Sequence, residues 1–147
     1  MKTLILLIFL AGFLQTTILP LDLVLLILLL RSYIKPSSQN LILAFGFGLL
    51  ISLLSNINLG IYSLIYLSLV ELTNLYTRLP VHKNLLFAGI ALSFLIFMEK
   101  LILMLVTGSK FFVWPLVFEI LSLIPLYFLL LFWEERFVIK HEIKLKF

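Results

Sequence analysis

The sequence predicts an all-α polytopic membrane protein in which about six transmembrane helices form one compact bundle. Of its 147 residues, 63% are hydrophobic and only 12% are charged, whereas a soluble domain usually carries about 25% charged residues. Apolar runs alternate with short polar breaks, and a membrane helix needs roughly 20 apolar residues. Most Lys and Arg residues lie at the ends of these runs, as charges that set membrane topology do.

The same composition excludes several classes of protein. So few charges cannot cover the surface of a soluble enzyme or keep a chain disordered. The pI of about 9.5 reflects 11 basic against 7 acidic residues, which does not form a phosphate-binding surface, so no nucleic-acid partner is expected. The chain has no cysteine and no nucleophile, zinc or phosphate-loop motif. We therefore expect a non-catalytic protein with no cofactor and no metal site.

Six predicted spans lie within a single domain, residues 1–133, at about 3–19, 21–34, 41–55, 60–77, 85–106 and 111–133. Pro20 ends the first run, a polar loop over 31–40 overlaps the end of the second, and Ser55–Asn58 ends the third. Polar breaks at 78–84 and 107–110 separate the last three. Residues 134–147 form a basic cytoplasmic tail that can lie on an anionic leaflet or dock a partner.

The first two segments leave alternatives open. Lys2 followed by an apolar run is also typical of a cleaved signal peptide, although no small-x-small cleavage motif follows Phe13. Because the second segment is short, the chain from Thr3 to Leu30 could instead form one bent helix, or the second segment could be re-entrant. With six spans and a cytoplasmic N-terminus, nine Lys and Arg residues are cytoplasmic, Lys110 is outside and Lys100 lies within a span. This bias predicts that both termini are cytoplasmic, in a bacterial inner membrane.

Ionisable residues within apolar runs are costly to bury and commonly mark function. Asp22 is placed to cap the second helix near the outer surface. Glu71, Asn74 and Arg78 share one face of the fourth helix. We expect Glu71 to be buried in the inner half of that helix, either as a proton or substrate site or, the reading we favour, as a helix–helix hydrogen bond.

Lys100 and Glu119 are predicted to form an ion pair. They lie at nearly equal distances from the turn near Ser109, so they have nearly equal depth in an antiparallel hairpin. Glu99 points to a different face and is expected to meet a polar cavity or a partner protein. In the alternative arrangement, Glu99 takes the place of Lys100 and pairs elsewhere, while Lys100 extends outward to water.

A stripe of small residues on the third helix predicts close helix packing. Small side chains at four-residue spacing let a neighbouring backbone approach, and we expect this stripe to face another helix of the same chain. Its members are Ala44, Gly48, Ser52 and Ser55. His82 and His141 lie in predicted cytoplasmic segments and read as solvated residues.

Two stretches resemble one family. Leu14–Pro20 followed by Asp22, and Gly46–Ser55 followed by Leu59 and Gly60, are together similar to the rod-shape-determining MreD family, over roughly residues 14–78. The family usually has an Asp where this chain has Ser52, and a longer first connection. The resemblance implies a non-catalytic membrane subunit of the cell-elongation machinery, which binds MreC and through it MreB and the peptidoglycan synthases.

The resemblance also implies a fold like that of the substrate-binding S components of vitamin importers. A small-molecule-binding importer subunit is therefore the alternative function, and an unassigned scaffold is a third. An importer subunit should have an outward cavity lined by polar or aromatic residues. The outer halves of the predicted helices offer ten candidates for such a lining: Gln15, Thr16, Thr17, Asn56, Asn58, Tyr62, Glu99, Lys100, Trp114 and Glu119.

Overall fold

The structure is a computed structural model that describes residues 2–138. In that part of the chain the fold is all-helical, as predicted, and contains no strand. Six α-helices follow one another: α1 (Lys2–Thr17), α2 (Leu23–Ile34), α3 (Ser38–Leu54), α4 (Ile61–Tyr76), α5 (Leu85–Thr107) and α6 (Val113–Trp133). A 3₁₀ turn covers Pro80–Lys83, and a π-helical turn at Glu134–Val138 continues α6. The helices coincide with the six apolar segments to within three residues at each end.

Local signals explain where the helices begin and end. The Asp22 carboxylate accepts a hydrogen bond from the Leu25 N–H and caps α2, and Gly108 ends α5 at a φ of +65°, which favours glycine. Because α1 and α2 are separate helices, the single bent helix over 3–30 is wrong. The predicted loop over 31–40 is also too long, since α2 runs to Ile34 and α3 begins at Ser38. The first turn of a helix tolerates such polar residues, because its N–H groups have no helical partner.

Helix α2 lies in the centre of the bundle. Every residue from Val24 to Ser32 is buried, and α2 packs against α1, α3, α4 and α6. A helix that is apolar on all sides belongs in an interior. With 12 residues it is about 18 Å long at 1.5 Å per residue, which is shorter than the roughly 30 Å hydrocarbon core of a bilayer.

Two of the described helices are both long and apolar enough to cross a membrane, those at Leu85–Thr107 and Val113–Arg136. Helices α1, α2 and α3 are shorter apolar helices. Large hydrophobic side chains are exposed on the outside of the bundle, among them Leu86 at 78% and Leu105 at 77%. Apolar side chains therefore cover the outside of the bundle as well as filling its core.

The six helices alternate in direction, which gives the bundle two distinct ends. A small pocket at one end is lined by Leu4 from α1, Ile34 from α2 and Leu130 from α6. At this end the Lys35 ammonium lies 3.3 Å from Glu134 Oε1. The start of α1 and the end of α6 therefore lie at the same end of the bundle, which we name the Lys35 end. The α1–α2 and α3–α4 turns lie at the opposite end.

The remainder of the predicted basic tail, with Lys140, His141, Lys144 and Lys146, lies outside the described residues. Its first residues, Glu134–Val138, are not a separate tail, because they continue α6 as a π-helical turn.

Helices α3 and α4 make the most extensive helix–helix contact in the fold. Ala44, Gly48 and Ser52 are buried in α3. A Cβ atom at Gly48 would lie 2.4 Å from the Ser63 Cα, so the two backbones touch at this point. The Ser63 hydroxyl donates a 3.1 Å hydrogen bond to the Phe45 carbonyl. The small-residue stripe thus faces another helix of this chain, and its last member, Ser55, is half-buried at the end of α3.

Candidate functional site

Lys100 joins two carboxylates in the interior of the α5–α6 pair. Its ammonium lies 2.9 Å from Glu119 Oε1 and 3.1 Å from Glu99 Oε2. Both Glu residues are 0% exposed. The ion pair expected between Lys100 and Glu119 is present, and the alternative in which Lys100 extends away is wrong. Glu99 also contacts Lys100, which the flexible four-carbon stem of a Lys side chain allows between adjacent residues.

Asp22 connects this charged group to the start of α2. Its backbone N–H donates a 2.8 Å hydrogen bond to Glu119 Oε1, and its carboxylate accepts from the Leu25 N–H at 3.1 Å. The Val24 N–H donates to Gln15 Oε1 at 3.1 Å. Side chains from α1 and α6 therefore satisfy N–H groups that a helix leaves free at its start. The positive end of the α2 dipole also favours the Glu119 carboxylate.

Tyr66 completes the cluster, and sequence reasoning did not single it out. It is 0% exposed on α4, and its hydroxyl donates a 2.5 Å hydrogen bond to Asp22 Oδ1. Gln15 Nε2 lies 3.5 Å from the same hydroxyl. The signal that could have found Tyr66 is its position inside an apolar run, because a buried phenol needs a hydrogen-bond partner. We name Asp22, Tyr66, Glu99, Lys100 and Glu119 the carboxylate cluster.

An open polar cavity of about 410 Å³ adjoins the carboxylate cluster. It is lined by the end of α1, the α1–α2 turn, the end of α3 and the start of α4, together with one patch of α5. Its polar lining residues are Gln15, Thr16, Asp22, Ser55, Asn56, Tyr62, Glu99 and Lys100. Of the two surroundings expected for Glu99, a polar cavity or a partner protein, the structure shows the cavity, and Glu99 also contacts Lys100.

The cavity is recessed into the bundle. Glu119, which accepts the Asp22 N–H, lies six residues after the first residue of α6. At 1.5 Å per residue, the α1–α2 turn is about 9 Å below that end of α6. This recess explains why α2 is so short, since α2 begins below the end of the bundle.

Three carboxylate oxygens of the cluster have no hydrogen-bond partner among the described residues. These are both oxygens of Glu99 and Oε2 of Glu119, although Glu99 Oε2 lies within ion-pair distance of Lys100. Buried acceptors that lack donors cost free energy, typically about 1–3 kcal/mol each and more when charged. Within residues 2–138, no group of three or more His, Asp or Glu side chains is arranged to hold a metal ion.

Glu71 and Asn74 do not join the carboxylate cluster. Asn74 is buried and accepts a hydrogen bond from the Ser32 hydroxyl of α2 through its Oδ1, so it links two helices. Glu71 is half-buried, which corrects the expectation of a buried carboxylate in the inner half of α4. Arg78 is exposed and lies beyond the end of α4, so the predicted shared face of the three residues does not form.

A second polar group lies at the Lys35 end. Arg31, predicted in a loop, is buried in the last turn of α2. Its Nε donates a 2.9 Å hydrogen bond to Asn40 Oδ1, and Asn40 Nδ2 donates to the Lys35 carbonyl at 2.9 Å. These contacts close the short turn between α2 and α3, so this group serves the fold.

Comparison with known proteins gives no further assignment, because no protein-family model, no curated protein and no solved structure matches this chain.

Proposed function

We propose that this protein is a multi-pass bacterial inner-membrane protein whose six helices form one bundle with both termini in the cytoplasm. The low burial of its two longest apolar helices supports this. Only 22% of the most apolar window of α5 and 17% of that of α6 is buried inside the fold. A core helix of a soluble protein would be mostly buried. Exposed apolar area on this scale is unstable in water and suits lipid.

Reporter fusions test this topology. An alkaline phosphatase, which is active only outside the cytoplasm, should be active when fused at Lys110. It should be inactive when fused at Lys83 or after Phe147, where a fluorescent-protein fusion should fluoresce instead. Phosphatase activity after Phe147 would contradict the proposal.

We propose further that the chain is a non-catalytic subunit of the cell-elongation machinery, of the MreD type. In this role it binds MreC, and through MreC it connects the MreB filament to the peptidoglycan synthases. The supporting observation is where the two resembling stretches lie. One forms the α1–α2 turn, with Asp22 at the carboxylate cluster, and the other carries Gly48 into the α3–α4 contact. Both are positions where the fold constrains the side chain strongly.

At Ser52 the chain departs from the MreD family, so a family property that depends on this position cannot be proposed for this protein. The family usually has an Asp there, and in this chain the Ser52 hydroxyl is buried without a hydrogen-bond partner among the described residues. The proposal therefore assigns no role to that position.

Affinity purification in mild detergent tests the MreC proposal. The tagged protein should recover MreC in a fixed ratio, and tagged MreC should recover this protein. The control is an unrelated multi-pass protein with the same tag, at matched expression. A folded, monodisperse preparation that recovers no MreC in either direction would contradict the proposal.

The alternative function is a small-molecule-binding subunit of an importer with an S-component-like fold. The specific observation in its favour is the polar cavity, whose volume of about 410 Å³ falls within the roughly 300–1,000 Å³ of ligand sites. The same purification separates the two functions. Recovery of an ATPase pair with a transmembrane coupling subunit would support the importer.

A further inference from the structure

The carboxylate cluster carries more negative than positive charge. Asp22, Glu99 and Glu119 provide three carboxylates, and among the described residues Lys100 is the one ammonium in the cluster, in contact with Glu99 and Glu119. Asp22 is 5% exposed and both Glu residues are 0% exposed. Carboxylates that are withdrawn from water and lack a compensating positive charge are strongly disfavoured. The cluster is therefore short of positive charge.

The uncompensated charge lies beside the cavity. Asp22 Oδ1 already accepts from the Tyr66 hydroxyl and the Leu25 N–H, and Glu119 Oε1 accepts from Asp22 and contacts Lys100. Glu99 lines the cavity and is fully buried, yet neither of its carboxylate oxygens has a hydrogen-bond partner in the described part of the chain, and Lys100 contacts Oε2. Among the described residues of the cluster, Glu99 is thus the carboxylate that a ligand in the cavity would complete.

We propose that the polar cavity binds a small organic cation that carries a protonated amine, with Glu99 as the recognising carboxylate. An ammonium group only donates hydrogen bonds, so it matches a carboxylate that lacks donors, and charge assistance strengthens the bond. An anion would meet two carboxylates, Asp22 and Glu99, and the ammonium of Lys100, which Glu99 and Glu119 already engage. The volume of about 410 Å³ fits an organic molecule and far exceeds what one metal ion requires.

Further lining residues suit the same ligand. Tyr62 lines the cavity, and its ring packs edge-on to Tyr66 with centroids 5.8 Å apart. Aromatic rings of this kind attract organic cations. Gln15 and Asn56 add amide groups to the lining, which can hydrogen-bond to polar substituents of the ligand. This inference goes beyond the binding of MreC and does not depend on it.

Thermal unfolding of the purified full-length protein in detergent tests the proposal. The probe is n-butylammonium chloride, titrated at constant ionic strength. Sodium butyrate is the charge-reversed control, butan-1-ol the neutral control and sodium chloride the inorganic-cation control. We expect a saturable rise in the unfolding temperature with n-butylammonium alone, because a ligand that binds only the folded state stabilises it.

Three variants locate the site. Glu99→Gln keeps the size of the side chain and removes its charge, and it should weaken the apparent affinity by roughly tenfold or more. Glu71→Gln removes a half-buried carboxylate outside the cluster and should leave the affinity unchanged. Thr16→Phe should fill the cavity and abolish binding with all cluster residues intact, which keeps the test valid if Glu99→Gln fails to fold.

Several results would overturn the proposal. These are no saturable shift with n-butylammonium, an equal shift with sodium chloride or butan-1-ol, a shift with butyrate alone, or full affinity in Glu99→Gln or Thr16→Phe. Each would leave the MreC experiment unaffected, because amine binding is measured on the isolated protein. The failure of one proposal is therefore distinguishable from the failure of the other.

Discussion

The α3–α4 contact and the carboxylate cluster hold helices together by opposite means. At the α3–α4 contact, Gly48 lets two backbones touch, and stability comes from close packing of small groups. At the cluster, α2, α4, α5 and α6 meet through charges and hydrogen bonds, and three carboxylate oxygens have no hydrogen-bond partner among residues 2–138. The comparison teaches that a contact made by close packing keeps one buried hydroxyl, that of Ser52, without a hydrogen-bond partner among the described residues, whereas the cluster keeps unpaired carboxylate oxygens beside an open cavity.

Removing the one cation of the cluster should have the largest effect on stability. Lys100→Met leaves Glu99 and Glu119 buried with no positive neighbour among the described residues. Breaking a buried pair in this way typically costs about 3–5 kcal/mol, measured here as the free energy of unfolding in mixed micelles. Lys110→Met, at an exposed position of the α5–α6 loop, should change that free energy by less than about 0.5 kcal/mol. Equal losses in both variants would show that the cluster is not essential.

Overpacking the α3–α4 contact should have the second-largest effect on stability. Gly48→Leu places a side chain where even a Cβ would meet the Ser63 Cα at 2.4 Å. The helices must separate, and we expect a loss of about 3 kcal/mol in the free energy of unfolding. Gly46→Leu is the matched control, because a Cβ at Gly46 meets no atom within 4 Å. If the two variants were equally stable, the close approach of α3 and α4 would be disproved.

The two regions differed in how far the sequence predicted them. Small residues at four-residue spacing and the near-equal depth of Lys100 and Glu119 pointed to the α3–α4 contact and to the ion pair. The roles of Tyr66 and the buried Arg31 were not predicted. Their hydrogen-bond partners, Asp22 and Asn40, do not lie three or four residues away on the same helix. Asp22 reaches Tyr66 across 44 residues. Such a contact depends on how the helices pack, whereas apolar runs and their polar breaks give the helix bounds directly.

Exchanging the charges of Lys100 and Glu119 tests whether these two residues stabilise the protein as a direct ion pair. Lys100→Glu and Glu119→Lys each disturb the charge balance of the cluster, and the double variant restores one cation among the same number of carboxylates. Recovery should remain incomplete, because a Lys at position 119 cannot accept the hydrogen bond from the Asp22 N–H. We expect a remaining deficit of about 2 kcal/mol relative to the original protein. A double variant no more stable than its worse single variant would count against a direct pair.

Removing the Tyr66 hydroxyl should have the smallest effect of the four. Tyr66→Phe keeps the ring and deletes the donor to Asp22 Oδ1, which still accepts from the Leu25 N–H. Because one donor remains, we expect the free energy of unfolding to fall by only about 1.5 kcal/mol. Tyr76→Phe is the control, since the Tyr76 hydroxyl is buried with no hydrogen-bond partner in the described part of the chain, and its removal should cost nothing. A loss in Tyr76→Phe that equals the loss in Tyr66→Phe would mean that the contact with Asp22 contributes no stability, and that the cluster is held by its charges alone.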